Sequence, residues 1–264
     1  MEPLPQLTTP PPSPPLPPTS TNRHHVILDD PSVQSTWSHR AWVASGCIAI
    51  AISLVKCITA AINSCSWLEP IIAGCFGYVL ADLGTGVYHW AIDNYGSAST
   101  PIFGPHIEAF QSHHETPWKF TWREFAYNIH ELARGITFAV LPLNFFSNDP
   151  LLHGFIAVFS GFVLFSEQFH YWAHDTKSRL PPFVVALQDA GLLLSRSQHA
   201  AHHRPPYNQN YCIVSGMWNG FLSEYKMFET LEMLVFSKLG VQPRSWNEPD
   251  NEWKQKETIN PLVK

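Results

Sequence analysis

Residues 41–62 read AWVASGCIAIAISLVKCITAAI, a run in which Lys56 is the only charge. An α-helix needs about 20 apolar residues to cross the hydrocarbon of a bilayer, so this stretch predicts a membrane span. Lys56 fits such a span if it snorkels or faces a neighbouring helix. Outward from this run, residues 71–90 carry Asp82 as their single charge, and Ala73, Gly74, Gly77 and Ala81 allow a closely packed helical partner. Residues 135–146 are shorter and contain Pro142; with the uncharged run 151–166 they predict a helical hairpin. The fold class that follows is all-α, a polytopic membrane protein with three or four transmembrane helices.

Charge placement assigns the two faces. With these runs crossing, the turns at 63–68 and 147–150 share one side and contain no Lys or Arg, while every other Lys and Arg except Lys56 falls on the opposite side. Positive charge marks the cytosolic or stromal side. Residues 180–194, LPPFVVALQDAGLLL, are too short and too interrupted to cross and are expected to lie in the interface plane. Residues 223–239 predict an amphipathic helix whose apolar side is Phe228, Leu231, Met233, Leu234 and Phe236. The ends differ in composition. Residues 1–35 are a Pro-rich leader expected to be disordered and able to serve as an organellar transit segment, and residues 248–264 are a polar tail; the membrane domain is 36–247.

The chain of 264 residues carries 16 Lys and Arg against 21 Asp and Glu, a net charge of −5, which argues against a basic nucleic-acid surface. Its five cysteines form no CxxC pair, which excludes a disulfide scaffold and a thiolate zinc site of that type. The unusual feature is 14 His. His89 ends the second run and is followed by Asp93 at i+4; His113 and His114 are adjacent; His170 and His174 are four apart; His199, His202 and His203 stand at i, i+3 and i+4. Residues three or four apart share a helix face and can close on one ion. All eight histidines fall on the positively charged side.

Eight imidazoles exceed the three or four ligands of a zinc site, and imidazole also suits iron, copper and nickel. A carboxylate di-iron site would require two Glu-x-x-His motifs, whereas only Glu167 and His170 have that spacing near a span. A histidine-rich di-iron centre of His89, His113, His114, His170, His174, His199, His202 and His203 is therefore expected, with Asp93 as a ligand or its partner. His24, His25, His39 and His153 are expected outside it, and His106 and His130 belong to no spaced pair. Arg196 and Arg204 flank the last cluster and are candidates for a lipid head group, Tyr207 and Tyr211 for a lid, and Cys212 for a small buried residue.

The motifs ADLGTGVYHWAIDNYG, IEAFQSHHETPW, FHYWAHDTKSRLPP, LQDAGLLLSRSQHAAHHRPPYNQNYCIVSGMWN and GVQPRSW resemble the lipid desaturase family that includes plasmanylethanolamine desaturase and the plastidial phosphatidylglycerol desaturase, most closely its plastidial branch. The likeness runs from about residue 35 to residue 247. It implies an oxidoreductase with two iron ions that uses O2 to insert a trans double bond at the third carbon of palmitate on phosphatidylglycerol. By motif, the same eight histidines and Asp93 correspond to the family's histidines and following aspartate. It also implies a chloroplast membrane with the centre on the stromal side, the endoplasmic reticulum membrane being the alternative. No nucleotide-binding loop or haem motif is present in the sequence, so electrons are expected from a separate donor, ferredoxin by the same resemblance. A plasmanyl-lipid desaturase, a lipid hydroxylase with the same centre and a non-catalytic metal-binding scaffold are the other readings.

Overall fold

The computed structural model describes residues 33–247; the predicted leader apart from its last residues, His24, His25 and the tail 248–264 lie outside them. The described residues form α1 (Trp37–Ser64), α2 (Leu68–Asn94), α3 (Gly104–Glu115), α4 (Phe125–Phe146), α5 (Pro150–His174), α6 (Pro182–Asp189), α7 (Arg196–His202), α8 (Asn219–Glu224) and α9 (Met227–Leu239), with short 3-10 turns at Pro117–Trp122 and Arg244–Trp246. No strand occurs among them.

Three helices, α1, α2 and α5, are long and apolar enough to cross a membrane. At 1.5 Å per residue, each of their 25 to 28 residue lengths exceeds the roughly 30 Å hydrocarbon thickness. The expected short run at 135–146 is the second half of α4, whose first half carries Glu131 and Arg134. That helix runs beside α1 in the same direction. Ser35 and Glu124 meet where the two begin, through Ser35 N donating to Glu124 Oε2 at 2.9 Å, and Ser53 Oγ, midway along α1, donates to Asn144 Oδ1 at 2.7 Å near the far end of α4. α2 packs along α5, and α5 also lies against α1 and α4.

Lys56 faces its neighbour. Its ammonium donates to the carbonyl of Asn144, to Ser147 O at 2.8 Å and to Asn148 Oδ1 at 3.0 Å. A cation at the C-terminal end of α4 satisfies carbonyls that the helix leaves unpaired. Gly77 permits the close approach of α2 to α5: a Cβ there would stand 2.8 Å from Phe155 O.

Beyond the spans, the chain returns over the ends of α2 and α5. Asp82, fully buried in α2, accepts backbone N–H groups of Val214 at 3.2 Å, Ser215 at 2.8 Å and Gly216 at 2.9 Å on Oδ1, and that of Trp218 at 3.3 Å on Oδ2. One carboxylate thus supplies the acceptors for a non-helical segment that has no ladder of its own. The amphipathic helix expected over 223–239 is broken at Lys226, whose φ is +50°. Of its anticipated apolar side only Phe228 is buried; Leu231, Met233, Leu234 and Phe236 face outward, and α9 turns Glu232 inward. The physical reason is two indole donors: Trp90 Nε1 reaches Glu232 Oε1 at 3.1 Å and Trp246 Nε1 reaches Oε2 at 2.9 Å. Buried indole N–H groups require an acceptor, and the carboxylate outweighs hydrophobic periodicity.

Candidate metal centre

The histidine-bearing segments share one architectural feature: His89, His113, His114, His170, His174, His199 and His202 all lie in the last turns of α2, α3, α5 and α7, with His203 at the C-terminal cap of α7. Helix C-termini carry partial negative charge and favour a nearby cation. Four such ends meet here.

Ligand atoms gather in two groups, His113, His170, His174, His199 and His203 in one and His89, Asp93, His114 and His202 in the other, each with its ligand atoms within 4.8 Å of one another. In the first, the Nε2 atoms of His174 and His199 are 2.7 Å apart, those of His113 and His174 2.8 Å, those of His199 and His203 3.0 Å and those of His170 and His174 3.2 Å. In the second, Nε2 of His114, His89 and His202 stand 3.1, 3.2 and 3.4 Å from a single oxygen, Asp93 Oδ2. The groups adjoin: ring centroids of His114 and His203 are 5.0 Å apart, and those of His89 and His170 5.8 Å.

The outer ring nitrogens fix which atom faces inward. His89 Nδ1 pairs with Tyr211 O at 3.0 Å and His202 Nδ1 with Gln209 O at 2.7 Å. A carbonyl only accepts, so both Nδ1 atoms carry the proton and both neutral rings present an Nε2 lone pair to the centre. His170 Nδ1 lies 3.2 Å from Glu167 Oε2, the carboxylate–histidine pairing that orients metal-bound imidazoles. His89 Nε2, His202 Nε2 and Asp93 Oδ1 are buried without a hydrogen-bond partner among the described residues. Converging lone pairs repel unless a cation lies between them, so this donor set fits metal ions.

Electrostatics agree. Burial, then the surrounding imidazoles, hold His113 and His199 well below the ordinary histidine range. Burial and the neighbouring His89 lower His202 to about 4. These rings are neutral near pH 7, the form that ligates a metal. Aromatic walls exclude water: the Phe120 ring centre is 4.6 Å from that of His170 and 4.8 Å from that of His113, and Phe110 is 5.1 Å from His89. An apolar cavity of about 210 Å³ opens beside His89, between Tyr88, Phe110, Phe159, Val163 and Glu167.

All eight histidines singled out in the sequence, and Asp93, are brought together. Four others are not: His106 Nδ1 pairs with Tyr88 Oη at 2.5 Å, His130 stacks on His39 with centroids 4.0 Å apart, and His153 Nε2 meets Ser147 O at 2.9 Å on the far side. Arg196 and Arg204 are exposed at the surface of α7 and just beyond it. Tyr211 is no lid, being fully buried, with its hydroxyl accepting from Asn94 Nδ2 at 2.9 Å. Tyr207 lies on His114, ring centroids 4.5 Å apart. Cys212 is buried, and burial pushes its thiol well up. The carbonyls of Tyr211 and Gln209 escape sequence reasoning because every residue has one.

Comparison with known proteins places the site in context. A family profile described as the lipid desaturase domain matches residues 78–246. The chain is 60% identical over 225 residues to fatty acid desaturase 4, chloroplastic, of Arabidopsis thaliana, covering 85% of this chain and 70% of that protein. It is 55% identical over 236 residues to fatty acid desaturase 4-like 1, chloroplastic, of the same plant, covering 89% and 80%. It is 30% identical over 203 residues to the plasmanylethanolamine desaturase of Myxococcus xanthus, covering 75% and 71%. No solved structure matches.

Proposed function

The chain belongs to the lipid desaturase family, and from that premise we propose that it is an oxygen-dependent acyl-lipid desaturase of the chloroplast membrane, inserting a trans double bond at the third carbon of palmitate esterified to phosphatidylglycerol. The observation that carries the reading is the pair of adjoining ligand groups at the ends of four helices. His113, His170, His174, His199 and His203 would hold one iron, and His89, Asp93, His114 and His202 the other. When bound, the irons supply the oxidising power that no side chain possesses, using O2 and two external electrons to remove hydrogens from neighbouring methylenes.

The chain's own residues bind and orient. The Tyr211 and Gln209 carbonyls hold the His89 and His202 rings in the tautomer that points Nε2 inward. Phe110 and Phe120 keep water from the ring nitrogens, and the apolar cavity beside His89 receives the acyl chain. Electrons come from a separate protein, ferredoxin, at the stromal face, where the positive residues gather.

Expression in a host that lacks the activity, followed by mass spectrometry of its lipids, tests the proposal. Expected is phosphatidylglycerol lighter by two hydrogens in its palmitoyl chain, and none when His199 or His170 is replaced by Ala at near-normal protein abundance. Oxygen retained in the lipid would identify a hydroxylase, the same change in an ether lipid alone would move the substrate to plasmanyl lipids, and zinc without iron in the purified protein would refute the iron centre.

A further inference from the structure

A second cavity, of about 410 Å³, shares Phe110 and Glu167 as walls with the apolar cavity beside His89. Its size is that of a small-molecule site, and its lining is mixed. His39 from the first turn of α1 and His130, Glu131 and Arg134 from α4 place it at the level where both helices begin, on the same side as the metal centre. Three of those four are mutually satisfied: Glu131 pairs with Arg134 at 2.5 Å and with His130 at 3.2 Å.

Arg123 is different. Its guanidinium lies over the rings of Phe120 and Tyr127, 5.0 and 5.8 Å from their centres, and no carboxylate among the described residues comes within ion-pair distance of it. A guanidinium seated over two aromatic rings is pre-organised for two-pronged binding of a phosphate. A guanidinium without a carboxylate partner, in a cavity that continues into an apolar slot, fits an amphiphile with an anionic head and a hydrocarbon tail.

We infer that the Arg123 cavity seats the phosphodiester of the substrate lipid, while its acyl chain passes Phe110 and Glu167 into the slot beside His89. This rests on the desaturase reading and assigns the head group to α4 and its preceding loop, not to Arg196 and Arg204 on α7. The shared walls also keep the head close to the ligand groups, as oxidation near the ester end of a chain requires.

The full chain, purified with iron in detergent, is offered phosphatidylglycerol and a diacylglycerol with the same acyl chains, and retained lipid is measured by native mass spectrometry. Wild type is expected to favour phosphatidylglycerol at least about tenfold, one charge-assisted contact at roughly 1.4 kcal/mol per factor of ten. Arg123→Gln loses that preference at unchanged iron content, Arg123→Lys restores part of it, and Ala109→Phe, filling the cavity from its wall, loses the lipid without altering charge. Should Arg123→Gln fail to accumulate, the other two variants give the same readout. Preference retained in Arg123→Gln, lipid retained in Ala109→Phe, or loss confined to Arg196→Gln and Arg204→Gln would overturn the assignment. Displacement of the lipid by millimolar inorganic phosphate would overturn it too, in favour of a free-anion site. Arg123-dependent retention by a wild-type protein that forms no product would instead remove the desaturase reading and leave the lipid site standing.

Discussion

Asp93 gathers three imidazole nitrogens on one oxygen, from α2, α3 and α7, so its charge acts on a whole ligand group. Asp93→Asn keeps the shape and removes the charge; the expected result is a roughly 10–100-fold loss of product and about half the iron, read by metal analysis of the purified protein. Iron and product both at wild-type levels would show that Asp93 only packs. The histidines were legible because spacing of three or four is a property of sequence. Their orientation was not, since it depends on carbonyls at Gln209 and Tyr211 that any residue could supply. His106 shows a second limit. Burial, outweighing Glu131 and reinforced by Arg123 and His130, lowers it to about 4, and it meets Tyr88 rather than a ligand group. The unfolded chain, with an ordinary value near 6.5, binds a proton there first as pH falls. Its contribution is thus whole above pH 6.5, declines towards pH 4 and is then lost, by up to roughly 3 kcal/mol at 1.4 kcal/mol per unit. Thermal unfolding at pH 7 and pH 5 should therefore show a smaller acid-induced drop in His106→Gln than in wild type; equal drops would remove His106 as the cause.

Apolar run length and small-residue spacing are enough to foresee α1, α2 and α5 and the closeness of α2 to α5. They do not foresee how a segment without regular structure is held. The return of 212–218 depends on Asp82, which in the sequence is only the exception within an apolar run, and on Gly86, where a Cβ would overlap the Cys212 sulfur. This clamp reaches the centre, because the residue just before the clamped segment, Tyr211, has the carbonyl that accepts from His89 Nδ1 and orients the ring. Asp82→Ala leaves three buried N–H groups and the half-buried one of Trp218 without their acceptor, with an expected cost of about 3–5 kcal/mol, and iron should be lost along with thermal stability. Asp82→Asn keeps one oxygen and should fall between. Gly77→Ala gives the complementary case: its Cβ meets backbone of α5 that cannot move aside, costing about 1–3 kcal/mol, but far from the ligands, so iron content per folded protein should stay near wild type. If both variants lost iron in equal measure, the clamp would have no special role. The inward turn of Glu232 in α9 is illegible for the same reason as the clamp: Glu232 is buried for Trp90 and Trp246, and Trp90 is distant in the chain.

At the scale of the molecule, sidedness joins the fold to the chemistry. Both ligand groups lie at the ends of α2 and α5 opposite the turns at Cys65 and Ser147, and every described Lys and Arg except Lys56 belongs to the histidine-bearing side. The ammonium of Lys56 is held by oxygens of Asn144, Ser147 and Asn148 at the end of α4 rather than left to the bulk solvent, so it is a local exception to the rule. Sequence could leave open three or four crossings because α4 is apolar only in its second half; either number returns the chain to the same face, since α4 and α5 form one hairpin. A thiol test separates that topology from its inversion. Cys65 is exposed in the turn after α1, and Ser178 is exposed beyond α5 on the histidine side. In sealed vesicles of known orientation, an impermeant maleimide should label Cys65 from the lumenal side. In a Cys65→Ser background it should label the Ser178→Cys thiol only from the opposite side, the one proposed for the electron donor. Labelling of both thiols from one side would break the bundle's alternation, and reversed labelling would place both ligand groups on the face away from the one proposed.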